Sequence, residues 1–293
     1  MSDPLALFRA KYGPLPSAHF IDGGWREPLA GDMMETFDPG RAEPYARFAA
    51  GSADDVAEAV ASAGRAGRGE WSAATPAERG RVLTKAAAMI RDQAERLAVA
   101  EVLDSGKTLA EALGDVRGSA RTFEYYAGAA DKHEGRAYPL GPAYTSYSIE
   151  EPVGVTAHIV PWNYPLSTAC RSLAPALAAG CTAVVKPAEQ TPMTALILAE
   201  ILFQAGLPRG VCNVVSGTGV SAGAPLVSHP DVRHVTFTGS TATGIGVMQA
   251  AARNVASVTL ELGGKSPNIV LADADLDRAL DNVAGAIFEN AGQ

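Results

Sequence analysis

The stretch that decides the fold is Val153–Lys186, VGVTAHIVPWNYPLSTACRSLAPALAAGCTAVVK. Residues 153–160 are an apolar run of strand length and 182–186 are a second, and we predict a helix over 167–179 between them. A strand, a helix and another strand in this order are typical of two parallel strands joined by a crossover helix. The stretch therefore predicts a parallel sheet.

The same alternation continues along the rest of the sequence. Strands that alternate with helices predict a doubly wound, Rossmann-like α/β sheet that is covered on both faces. Such a sheet binds its ligands at the carboxyl ends of the strands. We expect the helix after 182–186 to be capped by Thr191, with Pro192 behind it. The further strands are predicted over Val211–Val215, His234–Thr238, Val258–Leu262 and Asn268–Leu271, and the further helices over Thr191–Ala205, 219–228, 241–253 and Leu276–Asn290.

The amino-terminal part has a different composition. Residues 1–50 are rich in Pro and Gly and are predicted to form short strands and loops. Ser52 then stands three positions before Asp55, and Thr75-Pro76-Ala77-Glu78 is a capping box with proline at the first helical position. Alanine-rich helical patterns follow these caps, so we predict an amino-terminal helical layer, with helices over 54–69, 76–104 and 107–131.

Residues 138–150 change the pattern again. Tyr144, Ser146 and Ser148 alternate with the residues between them, which favours an extended hairpin. Two interpretations of this hairpin stay open. It is either an arm that contacts another subunit or an internal edge strand of the sheet.

Composition sets the class of protein. The 293 residues suggest about two domains, and 47% hydrophobic with 19% charged residues allow a large core. The net charge of -8 argues against a nucleic-acid surface, which needs clustered Lys and Arg. Cys170, Cys181 and Cys212 have no metal-ligand spacing and are expected to be buried, reduced thiols in a cytoplasmic protein. We predict no metal site, no signal peptide and no membrane-spanning helix.

A glycine turn after the strand 234–238 is the first candidate for ligand binding. Gly239 permits a tight turn, and the free N–H groups of the following helix, with the hydroxyls of Ser240 and Thr241, suit a pyrophosphate. A plain glycine turn with a serine cap is the alternative. Gly219 and Gly223 belong to a second glycine-rich turn, which we place near the adenosine end of a nucleotide.

Lys186 and Glu189 form the second candidate. A lysine at the end of a central strand is costly to bury without a partner, so it faces a cleft or a charged group. Lys186 and Glu189 together could bind the hydroxyls of one ribose, and the alternative is a local ion pair between them. A carboxylate at this place would repel a 2'-phosphate, which favours NAD over NADP.

Asn163 and Glu261 are the candidates for catalysis. Pro161 and Pro165 hold the backbone around Asn163, so its amide N–H could stabilise an oxyanion; alternatively, Asn163 satisfies its own turn. Glu261 precedes two glycines that leave its carboxylate room to move. A partly buried carboxylate there would have a raised pKa and could take a proton from water. The alternative is a capping carboxylate or one paired with Lys265.

Aromatic and imidazole side chains near these motifs have simpler interpretations. From the residues alone, Trp162 and Phe237 are expected in the core rather than against a cofactor. His158, His229 and His234 have no carboxylate or cysteine at triad spacing and are predicted to be structural.

Taken together, the sequence closely resembles the aldehyde dehydrogenase superfamily. The resemblance covers nearly the whole chain, and its five segments are specific because they occur in the family's order and spacing. They are Pro161–Pro165, Lys186–Glu189, Phe237–Gly244, Glu261–Pro267 and Asn290–Gln293. The resemblance implies oxidation of an aldehyde to a carboxylic acid with NAD, NADP being less favoured, through a cysteine thioester.

The resemblance also implies roles for single residues. Asn163 resembles the family's oxyanion donor, Glu261 its general base for deacylation, and Lys265 a residue that supports Glu261. Retention of Glu261 favours hydrolysis over transfer to coenzyme A. The implied cofactor-binding residues are Val160, Pro161, Trp162, Lys186, Glu189, Gly219, Gly223, Phe237, Gly239, Ser240 and Leu262.

The family's organisation predicts the domain bounds, and the present sequence departs from the family's pattern at one point. Residues 1–137 and 150–261 would form the NAD-binding domain, 138–149 an oligomerisation arm of a homodimer or homotetramer, and 262–293 the start of a second α/β catalytic domain. In the family, the nucleophilic cysteine follows the residues that match Gly292-Gln293, and the present sequence ends before it. We therefore expect an inactive amino-terminal part of a longer enzyme; the alternative is a non-catalytic nucleotide-binding fragment or a scaffold.

Overall fold

A computed structural model describes residues 4–293 of the chain. Its strands are β1 (His19–Ile21), β2 (Gly24–Arg26), β3 (Met33–Asp38), β4 (Glu43–Ala49), β5 (Ala137–Tyr138), β6 (Ser146–Tyr147), β7 (Val155–Ile159), β8 (Thr182–Lys186), β9 (Cys212–Val214), β10 (Val232–Gly239) and β11 (Ser257–Leu262). Its helices are α1 (Pro4–Tyr12), α2 (Ala53–Ala66), α3 (Glu70–Ala73), α4 (Pro76–Asp92), α5 (Ala94–Ser105), α6 (Leu109–Ala129), α7 (Pro165–Ala179), α8 (Met193–Gln204), α9 (Ala224–Ser228), α10 (Thr241–Ala252) and α11 (Leu276–Gly292), and a π-helical turn covers Gly219–Gly223.

Seven strands form the central sheet, in the order β11-β10-β7-β8-β9-β1-β2. The five strands from β7 to β11 run parallel to one another, whereas β1 runs antiparallel to β9 and to β2. The chain leaves β7 in one direction through β8 and β9 and then returns to add β10 and β11 on the other side. The predicted doubly wound fold is confirmed, and its switch point lies between β7 and β10, where such sheets bind ligands.

Helices cover both faces of the sheet. On one face, α7 and α8 pack with the predicted helical layer of α4, α5 and α6, and the contact buries large apolar side chains such as Leu83, Phe123 and Leu173. On the other face, α2, α9 and α10 bury Val56, Val235 and other side chains in a second cluster. Burial on both sides explains why 153–160 and 182–186 are apolar runs rather than alternating ones.

The predicted hairpin exists and stands apart from the central sheet. β5 and β6 form their own two-stranded sheet, with Ala137 opposite Tyr147 and Tyr138 opposite Ser146. Tyr138, Tyr144 and Tyr147 are exposed. The alternative of an internal edge strand is therefore wrong.

The prediction that Thr191 caps the helix after β8 is also wrong. The helix begins at Met193, and the hydroxyl of Thr191 is buried with no hydrogen-bond partner among residues 4–293. The reason lies far away in the sequence: Oδ2 of Asp104 accepts the hydrogen bond from the amide of Met193 at 2.9 Å. A carboxylate from the helical layer thus caps α8 in place of the local threonine.

Other element predictions need correction. Residues 4–12 form a helix rather than strands or loops, because Phe8 packs into the core; residues 1–3 lie outside the described part. The predicted helix over 76–104 divides at Gln93. Asn268–Leu271 is not a strand; it is exposed and, within residues 4–293, pairs with no other strand.

The last helix ends in a turn that positions the end of the described chain. Asn290 and Ala291 have left-handed backbone angles, with φ of 53° and 56°. The amide of Asn290 donates to Glu111 Oε1 at 2.8 Å, which brings 290–293 beside the carboxyl end of β7. No helix within 4–293 has both the length and the apolar character needed to cross a membrane.

Candidate functional site

A cavity of about 510 Å³ lies at the carboxyl ends of β7, β10 and β11, beside the switch point. Seven of the predicted site residues line it: Pro161, Trp162, Asn163, Gly239, Ser240, Glu261 and Leu262. Tyr164, Ser167, Thr168, Arg171, Thr238 and Gln293 complete the polar part of its wall. The structure therefore brings both predicted catalytic side chains and the glycine turn into one space, although 98 positions separate residue 163 from residue 261.

The Asn163 amide is held in one orientation. Its Oδ1 accepts a hydrogen bond from the Tyr164 amide at 3.1 Å, and its Nδ2 donates to Gln293 Oε1 at 3.0 Å. The alternative, in which Asn163 forms a hydrogen bond within its own turn, therefore holds for its side-chain oxygen. The NH₂ group remains on the cavity side, where its acceptor is a single exposed glutamine.

The backbone of Asn163 is fixed as well. Its carbonyl oxygen accepts from Lys107 Nζ at 3.2 Å and from Asn290 Nδ2 at 3.1 Å. Two donors from distant parts of the chain therefore hold the loop between Pro161 and Pro165. Prolines at both ends limit the loop from within, and these contacts limit it from outside.

Glu261 lies in the cavity wall near the end of β11. Its side chain is exposed, so the partial burial expected from the sequence is not found. Within residues 4–293 no ion pair joins Glu261 to Lys265. A Cβ built on Gly263 or Gly264 would meet no atom of the described residues within 4 Å, which agrees with open space next to the carboxylate.

The turn after β10 has the shape expected for an anion site. Ser240 is the N-cap of α10, and its Oγ accepts from the Thr243 amide at 3.2 Å, so this hydroxyl already has a capping role. The amides of Thr241 and Ala242, at the start of the helix, have no acceptor within the helix and remain available. A Cβ on Gly239 would lie 2.6 Å from Phe237 Cζ, so a larger residue there would displace the Phe237 ring.

Lys186 and Glu189 lie outside the first cavity. Nζ of Lys186 lies 3.1 Å from Glu189 Oε2, so the ion pair considered from the sequence is formed. Lys186 is 3% exposed; burial lowers its pKa and the Glu189 carboxylate opposes this shift. Glu189 lines a neighbouring cavity of about 550 Å³, and Trp162 lines both cavities.

Trp162 does not belong to the core. Its side chain is 50% exposed, because it follows β7 where the chain leaves the sheet. The core prediction for Phe237 is confirmed, at 4% exposure, and Val160 is buried as well. Gly223 lies against the Lys186 side chain, since a Cβ on Gly223 would be 3.5 Å from Lys186 Cδ. Gly219 begins the π-helical turn and lines neither cavity.

Sequence reasoning missed the ionic cluster behind Asn163. Lys107 Nζ lies 2.6 Å from Asp115 Oδ2, 3.4 Å from Glu101 Oε1 and 4.5 Å from the centre of the Tyr164 ring. Burial raises the pKa of Glu101 to about 7, and Lys107 opposes that shift. The available signal was Gly106 before the lysine. It ends α5 with φ of 73° and directs the following residue inward.

The three cysteines are free and buried, as predicted. Burial raises the pKa of Cys170 and of Cys212 to about 12, which keeps both thiols protonated at neutral pH. Burial also raises the pKa of Cys181. None of the three lines the 510 Å³ cavity, and a protonated thiol is a poor nucleophile.

A doubly wound sheet with polar side chains at its switch point is the architecture of nucleotide-dependent α/β enzymes. The sequence profile of the aldehyde dehydrogenase family matches residues 25–293. The chain is 46% identical over 283 residues to betaine aldehyde dehydrogenase 1 of Oryza sativa subsp. japonica, covering 94% of this chain and 56% of the relative.

Solved structures agree in fold. A putative aldehyde dehydrogenase from Burkholderia cenocepacia superposes with a TM-score of 0.93 at 50% identity, covering 94% of this chain and 58% of that one. An NAD⁺ complex of an aldehyde dehydrogenase from Bacillus cereus gives 0.94 at 40% identity, covering 100% and 59%.

The chain belongs to the aldehyde dehydrogenase family, a family of oxidoreductases. It spans between 56% and 59% of the length of these three relatives.

Proposed function

We propose that the protein oxidises an aldehyde to a carboxylic acid with NAD, and that residues 1–293 supply the cofactor site, the oxyanion donor and the general base. One observation carries the proposal: the Asn163 NH₂ group and the Glu261 carboxylate line the same cavity as the turn at Gly239 and Ser240. An oxyanion donor, a base and an anion-binding helix start are the parts that this chemistry needs.

The residues around the cavity fit a dinucleotide. The start of the twelve-residue helix α10 offers amides to the pyrophosphate, and Lys186 with Glu189 offers a donor and an acceptor to ribose hydroxyls. Trp162, between the two cavities, would contact the bound molecule. When bound, NAD supplies a hydride acceptor. The Glu189 carboxylate supports NAD over NADP, because it would repel a 2'-phosphate.

Asn163 is assigned to the negative charge that develops on the carbonyl oxygen. Its Nδ2 bond to Gln293 shows that an acceptor can sit there at 3.0 Å. Removal of one such donor typically costs about 3–4 kcal/mol of transition-state stabilisation. Glu261 is assigned to the later hydrolysis, in which it takes a proton from the attacking water.

The nucleophile is assigned to a cysteine outside these 293 residues. The thiolate adds to the aldehyde carbon, the carbon loses hydride, and water then cleaves the thioester to give the acid and the free thiol. Cys170, Cys181 and Cys212 are unsuited to the first step because they are buried and protonated. Residues 1–293 alone are accordingly proposed to be an inactive nucleotide-binding part.

We extend the proposal to the domains, the oligomeric state and the cellular location of the protein. Residues 1–137 and 150–261 form the cofactor domain, supported by the way β1 and β2 complete the central sheet, and 262–293 begin the catalytic domain. The exposed tyrosines on 138–149 support an arm that joins a homodimer or homotetramer. The unpaired cysteines agree with a reducing, cytoplasmic setting.

Expression of the complete reading frame, compared with residues 1–293 alone, tests the function. The longer protein is expected to form NADH and acid in equal amounts from an aldehyde, and the 293 residues are expected to form neither. Turnover by the 293 residues would overturn the assignment of the nucleophile. Failure of the longer protein with every aldehyde, despite NAD binding, would overturn the activity.

A further inference from the structure

Arg171 stands where two cavities meet. It lines the 510 Å³ cavity that holds Asn163 and Glu261, and also a second cavity of about 390 Å³ along the sheet face. Thr168, Thr238 and Glu261 line both cavities as well, so the two spaces are neighbours that share this wall. Within residues 4–293, Arg171 is the only lysine or arginine that lines either cavity.

The guanidinium of Arg171 has donors to spare. Within the described part of the chain it makes one hydrogen bond, a long one of 3.5 Å from an Nη atom to Thr238 Oγ1, and the side chain is exposed. Among the described residues no carboxylate lies within 4.0 Å of it, although Glu261 lines the same cavities. A guanidinium carries five N–H donors in a planar fork, and most of these are unused.

The helix that carries Arg171 turns a polar face to the cavity. Ser167 and Arg171 are four residues apart and Thr168 and Arg171 three, so all three lie on one face of α7 and line the wall. The opposite face buries Leu166 and Leu173 in the core. A wall of two hydroxyls and a guanidinium suits a charged or polar substrate better than an aliphatic one.

The direction of α7 connects Arg171 with the reacting end. Arg171 is six residues after Pro165, a rise of about 9 Å, and helical side chains tilt toward the amino terminus of their helix. Helix geometry therefore favours a guanidinium that leans back toward Asn163, and both residues line the same cavity.

We propose that the substrate is a short aldehyde acid whose carboxylate binds Arg171 while its aldehyde carbon lies at Asn163. This inference rests on the proposed function and adds the substrate class. Two parallel N–H donors match two carboxylate oxygens, and the hydroxyls of Ser167 and Thr168 complete the anion site. Arg171 is thus a specificity-determining residue.

Steady-state kinetics on the protein from the complete reading frame test this proposal. Succinate semialdehyde is compared with its uncharged methyl ester, in the wild type, Arg171→Met and Arg171→Lys. Arg81→Met is the matched control, since Arg81 is exposed on α4 and lines neither cavity. Inhibition by succinate gives a binding readout that does not depend on turnover.

The wild type is expected to prefer the acid over the ester. Arg171→Met should lower kcat/KM for the acid by about 10- to 100-fold, as expected for a lost charged hydrogen bond, change the ester less than about three-fold, and weaken inhibition by succinate. Arg171→Lys should retain part of the preference.

Equal losses of kcat/KM on both substrates would overturn the proposal. Arg171 would then act on Glu261 and not on the carboxylate of the substrate. A wild type that oxidises the ester as well as the acid would overturn this inference alone. A wild type that oxidises other aldehydes but neither of these two would also overturn this inference alone, and a wild type that oxidises no aldehyde would overturn the proposed function and the inference with it.

Discussion

Lys107 Nζ donates to the backbone oxygen of Asn163 at 3.2 Å, and these two residues are 56 positions apart. The side chain of Lys107 is 1% exposed and touches no part of the 510 Å³ cavity. It acts on the site only through the loop that carries Asn163. Lys107 is therefore a positioning residue for the proposed oxyanion donor.

Replacement of this lysine is the first prediction. Lys107→Met should destabilise the protein by about 3–5 kcal/mol, because the buried carboxyl group of Glu101 and the partly buried one of Asp115 lose their cation. It should also lower kcat about ten-fold, since the Asn163 loop loses a donor. Urea unfolding measures the first effect and steady-state kinetics the second.

A double variant separates the two roles of Lys107. Adding Glu101→Gln to Lys107→Met replaces the buried carboxyl group that lost its partner with a neutral amide, and it should recover part of the stability while kcat stays low. If kcat returns together with stability, Lys107 serves folding alone and not the position of Asn163.

Replacement of the proposed base is the second prediction. Glu261→Gln should leave the first, rapid release of NADH intact and slow the steady rate about 100-fold, because water is no longer deprotonated for deacylation. Stopped-flow absorbance of NADH followed by steady-state measurement distinguishes the two phases. An unchanged steady rate would remove Glu261 from the mechanism.

The ribose assignment gives the third prediction. Lys186→Ala should raise KM for NAD about ten-fold, the loss expected for one charged hydrogen bond, and leave KM for the aldehyde within about two-fold. Lys85→Ala is the matched control, since Lys85 is exposed on α4. An effect confined to the aldehyde would contradict the assignment.

The fourth prediction concerns pH. Burial raises the pKa of Glu101 to about 7 from an ordinary value of 4.5, so the folded protein favours the protonated form. This contribution is complete below pH 4.5 and is lost as pH rises through about 7, a change of up to about 3 kcal/mol.

Unfolding of wild type and Glu101→Gln at several pH values measures the Glu101 contribution, because other titrating groups cancel in the difference. The variant should gain stability relative to wild type as pH rises from 4.5 to 7. A constant difference would show that Glu101 does not titrate in that range.

The parts of the fold that local patterns control could be predicted from the sequence. The strand 182–186 has the predicted bounds, and the capping boxes at Ser52 and Thr75 are formed with both reciprocal bonds. Because parallel strands end at one edge of the sheet, the order of the motifs also predicted that Asn163 and Glu261 would share a cavity.

The predictions fail where contacts between residues far apart in the sequence determine the structure. Asp104 caps α8 in place of Thr191. Phe8, in the helix 4–12, packs into the core, and Trp162 lies outside the core because the chain leaves the sheet there. The Glu101–Lys107–Asp115 cluster was missed for the same reason. It depends on the packing of α5 against α6, which no short pattern encodes.

The edge formed by β1 and β2 has a consequence for biosynthesis. The ring of His19 accepts a hydrogen bond from the amide of Ser216, 197 positions later, and Phe20 pairs with Val214. During translation, β1 can pair with β2 at once, but its other edge stays open until Val214 of β9 has been synthesised. Contacts of such long separation slow folding, and a nascent chain with this unsealed edge needs protection from association with its neighbours.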